Sequence, residues 1–144
     1  MKLKIDNETL IEEFFDTTRL LGIVAPVKDY VFSWHANQSL GFNLRINHGL
    51  EIQLRKKERN YFFSIYEYKV PGTNLVHYLY NNQDDGEFLL PEFKHLDFLW
   101  LVKGEEISQE ELAALQKAVK LLPGVQLVNE MTNEKIKNKQ HLIL

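Results

Sequence analysis

The sequence predicts an α+β fold: a single domain over residues 1–144, with a mainly antiparallel sheet of five or more strands packed against two or three helices. Three observations lead to this prediction. The length of 144 residues and the 44% content of hydrophobic residues are ordinary for one globular domain. The middle of the chain consists of strand-like runs separated by turn signals. An amphipathic pattern that begins at Ser108 is typical of a helix.

The first third of the chain predicts two strands and two helices. Residues 2–5 alternate between polar and apolar and predict a short strand, after which Asn7 is a candidate helix cap. Residues 20–25 are apolar and rich in β-branched and aliphatic side chains, which favours a buried strand. Residues 27–38 show helical spacing, and Gly41 suits the position just past a helix end.

The middle of the chain predicts an antiparallel sheet. Its strands are expected over residues 42–46, 50–54, 61–70, 75–80 and 98–103. A turn signal at residues 47–49 and a polar tip at residues 56–60 separate the first three. Apolar side chains fall on both faces of residues 98–103, so we expect this strand to be central and covered on both sides.

The last helix has the clearest local signals. Ser108 and Glu111 stand at the spacing of a capping box. One apolar stripe at helical spacing follows, formed by Leu112, Leu115, Val119 and Leu122. Pro123 and Gly124 end the helix. A strand over residues 125–128 comes next, and the lysine-rich tail after residue 132 is predicted as a loose helix or an extended edge.

Composition and charge exclude several classes of function. The 17 basic and 20 acidic residues give a net charge of −3, which provides no general attraction to nucleic acid or to anionic membranes. Cysteine is absent, which excludes disulfides and thiolate sites. The N-terminal stretch lacks the apolar core of a signal peptide, and no run approaches the roughly 20 apolar residues of a membrane span. These features predict a cytoplasmic protein.

No residue is assigned a catalytic, cofactor-binding or metal-binding role by sequence motifs. None of the four serines lies in a Gly-x-Ser-x-Gly elbow. The seven glycines form no phosphate-binding loop. We therefore favour a protein without enzymatic activity and without a cofactor.

Residues 90–98 are the most informative stretch of the chain. Pro91, Glu92, His95 and Asp97 lie just before the most apolar run of the sequence. The first interpretation is structural: Pro91 fixes its own φ, and the two carboxylates accept hydrogen bonds from backbone amides around a turn. The alternative is functional: a small-ligand-binding protein or an enzyme in which Glu92, His95 and Asp97 line a cleft near Lys28 or Asp29.

The same stretch resembles a known family. Leu90-Pro91-Glu92, three variable residues and then Leu96-Asp97-Phe98 are similar to the motif of the IPExxxVDY family of bacterial proteins, with Leu for Ile, Leu for Val and Phe for Tyr. Two further stretches resemble that family, one from Leu21 through Tyr30 to Trp34, the other at residues 122–125. The resemblance implies one domain spanning the chain and a bacterial, cytoplasmic setting. It carries no catalytic assignment.

Metal binding and nucleic-acid binding are the weaker hypotheses. Glu92-x-x-His95 matches one element of di-metal bundles, but such sites need a second copy of the motif and two more glutamates. Between Arg55 and Tyr68, basic residues stand next to aromatic strand residues, as they do in single-strand-binding platforms. The balanced net charge argues against that second hypothesis.

The favoured hypothesis is a protein-interaction or regulatory module that forms a homodimer or binds another protein. The chain contains 2 Trp, 6 Tyr and 9 Phe residues. We expect one face of the aromatic strand from Tyr61 to Tyr68 to be partly exposed, and exposed aromatic patches commonly mark protein contacts.

Overall fold

A six-stranded antiparallel sheet forms the centre of the molecule, which confirms the predicted α+β fold. The fold is known from a computed structural model, which describes residues 2–143 and the side chains of residues 9–132 and 134–143. The helices are α1 (Lys2–Asp16), α2 (Asp29–Leu40) and α3 (Gln109–Lys120). The strands are β1 (Arg19–Val24), β2 (Arg45–Ile46), β3 (Ile52–Lys56), β4 (Arg59–Phe63), β5 (Ile65–Lys69), β6 (Val76–Asn81), β7 (Gln83–Asp84), β8 (Glu87–Phe88), β9 (Phe98–Lys103) and β10 (Leu127–Glu130).

The main sheet has the strand order β10-β1-β9-β6-β5-β2, and every neighbouring pair is antiparallel. Trp100 of β9 lies opposite Leu21 of β1 on one side and Leu79 of β6 on the other. The prediction that residues 98–103 form a central strand is thus confirmed. β3 pairs with β4, and β7 pairs with β8, in two smaller sheets.

Helices α2 and α3 cover one side of the main sheet, which we call the helical face. Phe32 of α2 stacks on Phe98 of β9, with ring centroids 4.8 Å apart. From α3, Leu112 and Val119 are fully buried, whereas Leu115 is half-buried at the edge of the cluster. Burial of a leucine side chain contributes roughly 1.5–3 kcal/mol to the stability of the fold. The burial of this apolar stripe is therefore the main stabilising contribution to the packing of α3 on the sheet.

A buried histidine lies within the helical face. The indole nitrogen of Trp100 donates a 2.9 Å hydrogen bond to Nδ1 of His77. The ring of Phe42 packs 4.7 Å from the His77 ring. Burial lowers the pKa of His77 to about 4, because the apolar surroundings disfavour the imidazolium. His77 is therefore neutral near pH 7, and its Nδ1 accepts the hydrogen bond from the indole N–H.

The other side of the sheet, which we call the loop face, is covered without long helices. Three pieces cover most of it: the β3–β4 hairpin, the anchor segment (residues 89–97) and the C-terminal strap (residues 136–142). Phe14 and Phe15 at the end of α1 pack at its margin. The buried side chains of this cluster are Leu20, Tyr61, Phe63, Ile65, Tyr78, Tyr80, Leu89, Leu90, Leu96, Leu99, Leu101, Ile136 and Leu142.

Several local predictions are confirmed. α2 ends at Gly41, whose φ of 69° is the left-handed conformation that glycine adopts without strain. At α3, Ser108 Oγ accepts a 3.1 Å bond from the amide of Glu111, and the Glu111 carboxylate accepts one of 3.1 Å from the amide of Ser108. The capping box is therefore complete. Within the described residues, no helix is both long and apolar enough to cross a membrane.

The prediction of a strand at residues 2–5 is wrong, as is the prediction of a cap at Asn7. Both stretches lie inside α1, which runs from Lys2 to Asp16. A four-residue alternation is too short to distinguish a period of 2 from a helical period. The apolar spacing around Phe14 extends the helix instead.

Three predicted strands have different bounds or partners in the structure. Residues 42–46 and 50–54 do not pair with each other, because a 3₁₀ turn at His48–Leu50 sends β2 to the main sheet and β3 to the hairpin. The expected strand over residues 61–70 is broken at Ser64. Its first half pairs with β3, and its second half pairs with β6. Such partner choices are long-range, so periodicity along one strand does not contain them.

Candidate functional site

The anchor segment crosses the loop face between β8 and β9. It contains a 3₁₀ turn at Pro91–Phe93, with Pro91 at the start of that turn, where its missing N–H is not needed. Leu89, Leu90 and Leu96 are buried. Leu96 approaches β1 so closely that a Cβ on Gly22 would lie 2.7 Å from its Cδ1 atom. Gly22 therefore allows the segment to pack directly on the sheet.

Asn82, directly after β6, holds the anchor segment from within. Its side chain is fully buried, and it donates to the carbonyls of Phe93 (3.1 Å) and Leu96 (2.9 Å). Its Oδ1 accepts from the amide of Leu90 at 2.9 Å. Sequence reasoning missed this residue, because Asn82 stands in a polar run that is typical of an exposed turn. No local pattern distinguishes it from Asn81.

Glu92 binds the C-terminal strap. Its carboxylate accepts hydrogen bonds from the amides of Lys137 (2.7 Å) and Asn138 (2.9 Å) and from the Asn138 side chain (2.7 Å). Partial burial acts to raise the pKa of Glu92, but these hydrogen bonds outweigh it, so the pKa is lowered. The amides come from 45 residues further along the chain, not from the following turn as the sequence suggested.

Asp97 binds the end of β1. Its Oδ2 atom accepts a 2.8 Å hydrogen bond from the amide of Ala25. Its own amide donates to the carbonyl of Ile23 at 2.8 Å, and its carbonyl accepts from the amide of Asn82 at 3.0 Å. Asp97 thus joins β1, β6 and β9 at one end of the sheet.

Within the described residues, His95 is not a hydrogen-bond partner of either carboxylate. It is exposed, and its ring lies 6.3 Å from the ring of Phe93. Among the described residues, no three histidine, aspartate or glutamate side chains are grouped as metal ligands. The structure therefore does not bring Glu92, His95 and Asp97 together: one binds the strap, one binds β1 and one faces solvent.

A cleft of about 820 Å³ opens beside Asp97. The functional hypothesis from the sequence was a cleft lined by Glu92, His95 and Asp97, with Lys28 or Asp29 nearby. Asp97, Lys28 and Asp29 line the observed cleft, whereas Glu92 and His95 do not. The charged residues of its lining are Lys28, Asp29, Asp84, Asp85 and Asp97. Among the described residues that line it, none is a serine, threonine or histidine, so the cleft holds no hydroxyl–imidazole pair.

Each aspartate of the cleft has a protein partner. Asp29 accepts a 2.8 Å hydrogen bond from the hydroxyl of Tyr66. Burial and this bond raise the pKa of Tyr66 well above its ordinary value. Asp84 accepts from the amide of Phe62 at 2.9 Å, and Asp85 pairs with Arg59. Through these contacts, Asp84 and Asp85 connect the lining of the cleft to the β3–β4 hairpin, and Asp29 connects it to β5.

The aromatic strand that was expected to carry an exposed face is mostly buried. Tyr66 is only 8% exposed, and Tyr68 stacks on Phe42 with ring centroids 4.9 Å apart. Tyr61 and Phe63 lie in the core of the loop face. Phe62, at 44% exposure, is the large exposed side chain of this stretch. The arrangement does not form the row of accessible rings on which bases stack.

Two other aromatic side chains are more exposed. Tyr30 is 64% exposed and Trp34 is 58% exposed. They stand four residues apart on α2, so both lie on its outer surface, opposite the buried Phe32 and Ala36. The sequence includes Trp34 in the stretches that resemble the bacterial family, but nothing in the local pattern predicted its exposure.

The chain matches no protein-family profile, and no curated protein matches it. The resemblance to the IPExxxVDY family stays a prediction from the residues.

Proposed function

We propose that this protein is a non-enzymatic protein-interaction module that associates as a homodimer through the outer face of α2. The observation that carries the proposal is the exposed pair Tyr30 and Trp34. Tryptophan and tyrosine are enriched among the residues that dominate binding energy in protein interfaces. Neither side chain is needed for the core, because the inner side of α2 is already filled by Phe32 and Ala36.

The charge distribution on α2 favours a second copy as the partner. The helix contains one formally charged residue, Asp29, which is bound to Tyr66. Tyr30, Trp34 and Gln38 follow one another at four-residue spacing on the outer face. Two such faces can meet about a two-fold axis without like charges in contact. By contrast, α3 carries Glu110, Glu111, Lys117 and Lys120 and is suited to solvent.

Analytical ultracentrifugation at micromolar concentrations tests this proposal. We expect a dimer for the unchanged chain and a monomer for Trp34→Glu, because a buried unpaired carboxylate disfavours the interface. Leu121→Glu is the matched control, since Leu121 is 78% exposed and lies beyond the end of α3. A monomeric unchanged chain, or equal dissociation of both variants, would overturn the proposal.

Fluorescence provides a second measurement. The chain has two tryptophans, of which Trp100 is buried and Trp34 is exposed. In a Trp100→Phe variant, Trp34 is the one remaining reporter. We expect its emission to shift to shorter wavelength as protein concentration rises, because dimerisation removes the indole from water.

A second candidate function is binding of a cationic ligand in the cleft beside Asp97. Four aspartates and one lysine give the lining a negative balance. A titration with a linear polyamine, followed by calorimetry, tests this candidate. Asp97→Asn should weaken binding, whereas His95→Gln, outside the cleft, should not. Absence of binding at millimolar polyamine would exclude this function.

A further inference from the structure

The C-terminal strap is bound to the rest of the molecule as a peptide is bound in a groove. Ile136 and Leu142, six residues apart, are its two apolar anchors and are 3% and 0% exposed. Both belong to the core cluster of the loop face, together with Leu89 and Leu90 of the anchor segment. The residues between the anchors are polar or charged.

The groove also supplies polar groups at fixed positions. At one end, the Glu92 carboxylate receives the two successive amides of Lys137 and Asn138 and the Asn138 side chain. At the other end, the buried hydroxyl of Tyr80 donates a 2.6 Å hydrogen bond to the carbonyl of Leu142. All of these receptor groups belong to β6 and the anchor segment, so none of them comes from the strap itself.

The strap makes no strand pairing within the described residues. Among the described residues, its backbone bonds to other segments are those to Glu92 and Tyr80. A local bond runs from the amide of His141 to the carbonyl of Asn138. The side chain of His141 adds one more polar contact between the strap and the anchor segment, because its Nδ1 lies 2.7 Å from the carbonyl oxygen of Leu89. Side-chain anchors and a few polar contacts fix the strap, and no cooperative ladder must break for it to leave.

We propose that this groove is a peptide-binding site that the strap occupies within its own chain and that the strap of a second copy can occupy instead. The second copy is the natural occupant, because it carries the same anchors at the same spacing. Exchange of identical elements between protomers is a known route to association. The groove lies on the loop face, whereas α2 lies on the helical face, so this inference does not depend on the α2 interface.

The test uses full-length chains and a labelled peptide with the sequence of residues 134–143. In Leu142→Ser, the strap loses its main anchor and the groove becomes accessible. We expect this variant to bind the peptide at least about tenfold more tightly than the unchanged chain does, because the unchanged groove faces a tethered competitor at high effective concentration. Fluorescence anisotropy measures the difference.

Three controls make the result specific. A peptide that carries Leu142→Ser should not bind. Adding Glu92→Gln to the Leu142→Ser chain should weaken binding of the unchanged peptide, because one receptor group is impaired. Trp34→Glu, added to the same chain, should leave peptide binding unchanged, which separates this site from the α2 interface.

A folded Leu142→Ser chain that binds the peptide no better than the unchanged chain would overturn the proposal. Circular dichroism establishes that the variant is folded. If it is not, Asn138→Ala serves in its place, since it removes one hydrogen bond of the strap and leaves both apolar anchors. This milder variant should also bind the peptide more tightly than the unchanged chain, and equal binding would again overturn the proposal.

Discussion

The two faces of the central sheet are stabilised in different ways. On the helical face, α2 and α3 pack through apolar stripes, and the polar contacts that define each helix are local, such as the capping box of Ser108 and Glu111. On the loop face, irregular segments are held by single polar side chains across long sequence separations, as Glu92 does with Asn138. Helices satisfy most of their backbone polar groups internally, whereas each buried backbone group of an irregular segment needs a partner from elsewhere in the chain.

The largest effect is expected at the centre of the loop face. Asn82→Ala leaves the amide of Leu90 and the carbonyl of Leu96 without their partner, whereas the carbonyl of Phe93 keeps its 3.1 Å bond from the amide of Leu96. Since each of these two buried unsatisfied groups costs about 1–3 kcal/mol, the free energy of unfolding should fall by roughly 2–6 kcal/mol. Urea denaturation measures this loss.

Asn81→Ala is the matched control for Asn82→Ala. The Asn81 side chain accepts one long hydrogen bond, 3.4 Å from the amide of Gln83. Its removal should cost less than about 1 kcal/mol. Equal losses for the two variants would mean that Asn82 is not the residue that organises the anchor segment.

On the helical face, the corresponding change is Leu112→Ala. Leu112 is fully buried, so the loss of unfolding free energy should be about 2–5 kcal/mol. Leu115→Ala should cost less, because Leu115 is half-buried at the edge of the cluster. A larger loss at Leu115 than at Leu112, measured by the same denaturation, would contradict the packing of α3.

Acid should destabilise the helical face through His77. Its folded pKa of about 4 lies below the value of about 6.5 expected in the unfolded chain, so the unfolded state takes up the proton first. The stabilisation is complete above pH 6.5 and is lost as the pH falls toward 4. A pKa difference of about 2.5 corresponds to roughly 3 kcal/mol.

The pH dependence of unfolding for the unchanged chain and for His77→Gln measures this contribution. The two curves should differ in slope between pH 6.5 and 4, with the unchanged chain steeper. Parallel curves for the unchanged chain and His77→Gln would show that the buried histidine does not drive acid sensitivity.

The smallest of these effects is expected at the two carboxylates of the anchor segment. Glu92→Gln and Asp97→Asn each replace an ionised acceptor of backbone amides with a neutral one. By analogy with helix caps, each should lower the free energy of unfolding by about 0.5–2 kcal/mol and lower the melting temperature. Thermal unfolding near neutral pH measures both.

The sign of the Asp97→Asn effect separates two interpretations of that residue. Asp97 shares the cleft with three other aspartates, and carboxylates held together for a functional purpose repel one another. Under that interpretation, Asp97→Asn would melt at a higher temperature than the unchanged chain. A higher melting temperature would thus favour cation binding in the cleft over a purely structural role.

The helical face was largely predictable from sequence. The end of α2 before Gly41, the helix that begins after the cap at Ser108 and the central position of β9 all follow from periodicity and local side-chain chemistry. These signals depend on residues that are close together along the chain, so they can be read from a single sequence. The failures on α1 and around Ser64 occurred where the pattern was short or where two sheets competed for one run of residues.

The candidate site was predictable only in part. The segment from Pro91 to Asp97 was recognised as special, and backbone amides were proposed as partners of its carboxylates. The partners themselves lie in the C-terminal strap and at the end of β1. Asn82 and the exposed pair on α2 were not recognised, because burial and exposure of single side chains depend on what the chain places against them.

Local sequence patterns specify the class of the fold, most of its helices and strands, the exclusion of cysteine chemistry and the unusual composition of the stretch around Glu92. The tertiary structure alone decided which strands pair, which face each aromatic ring occupies and which amide each carboxylate binds. The physical reason is range: helical period, caps and turns depend on neighbours along the chain, whereas strand partners and buried hydrogen bonds join residues tens of positions apart.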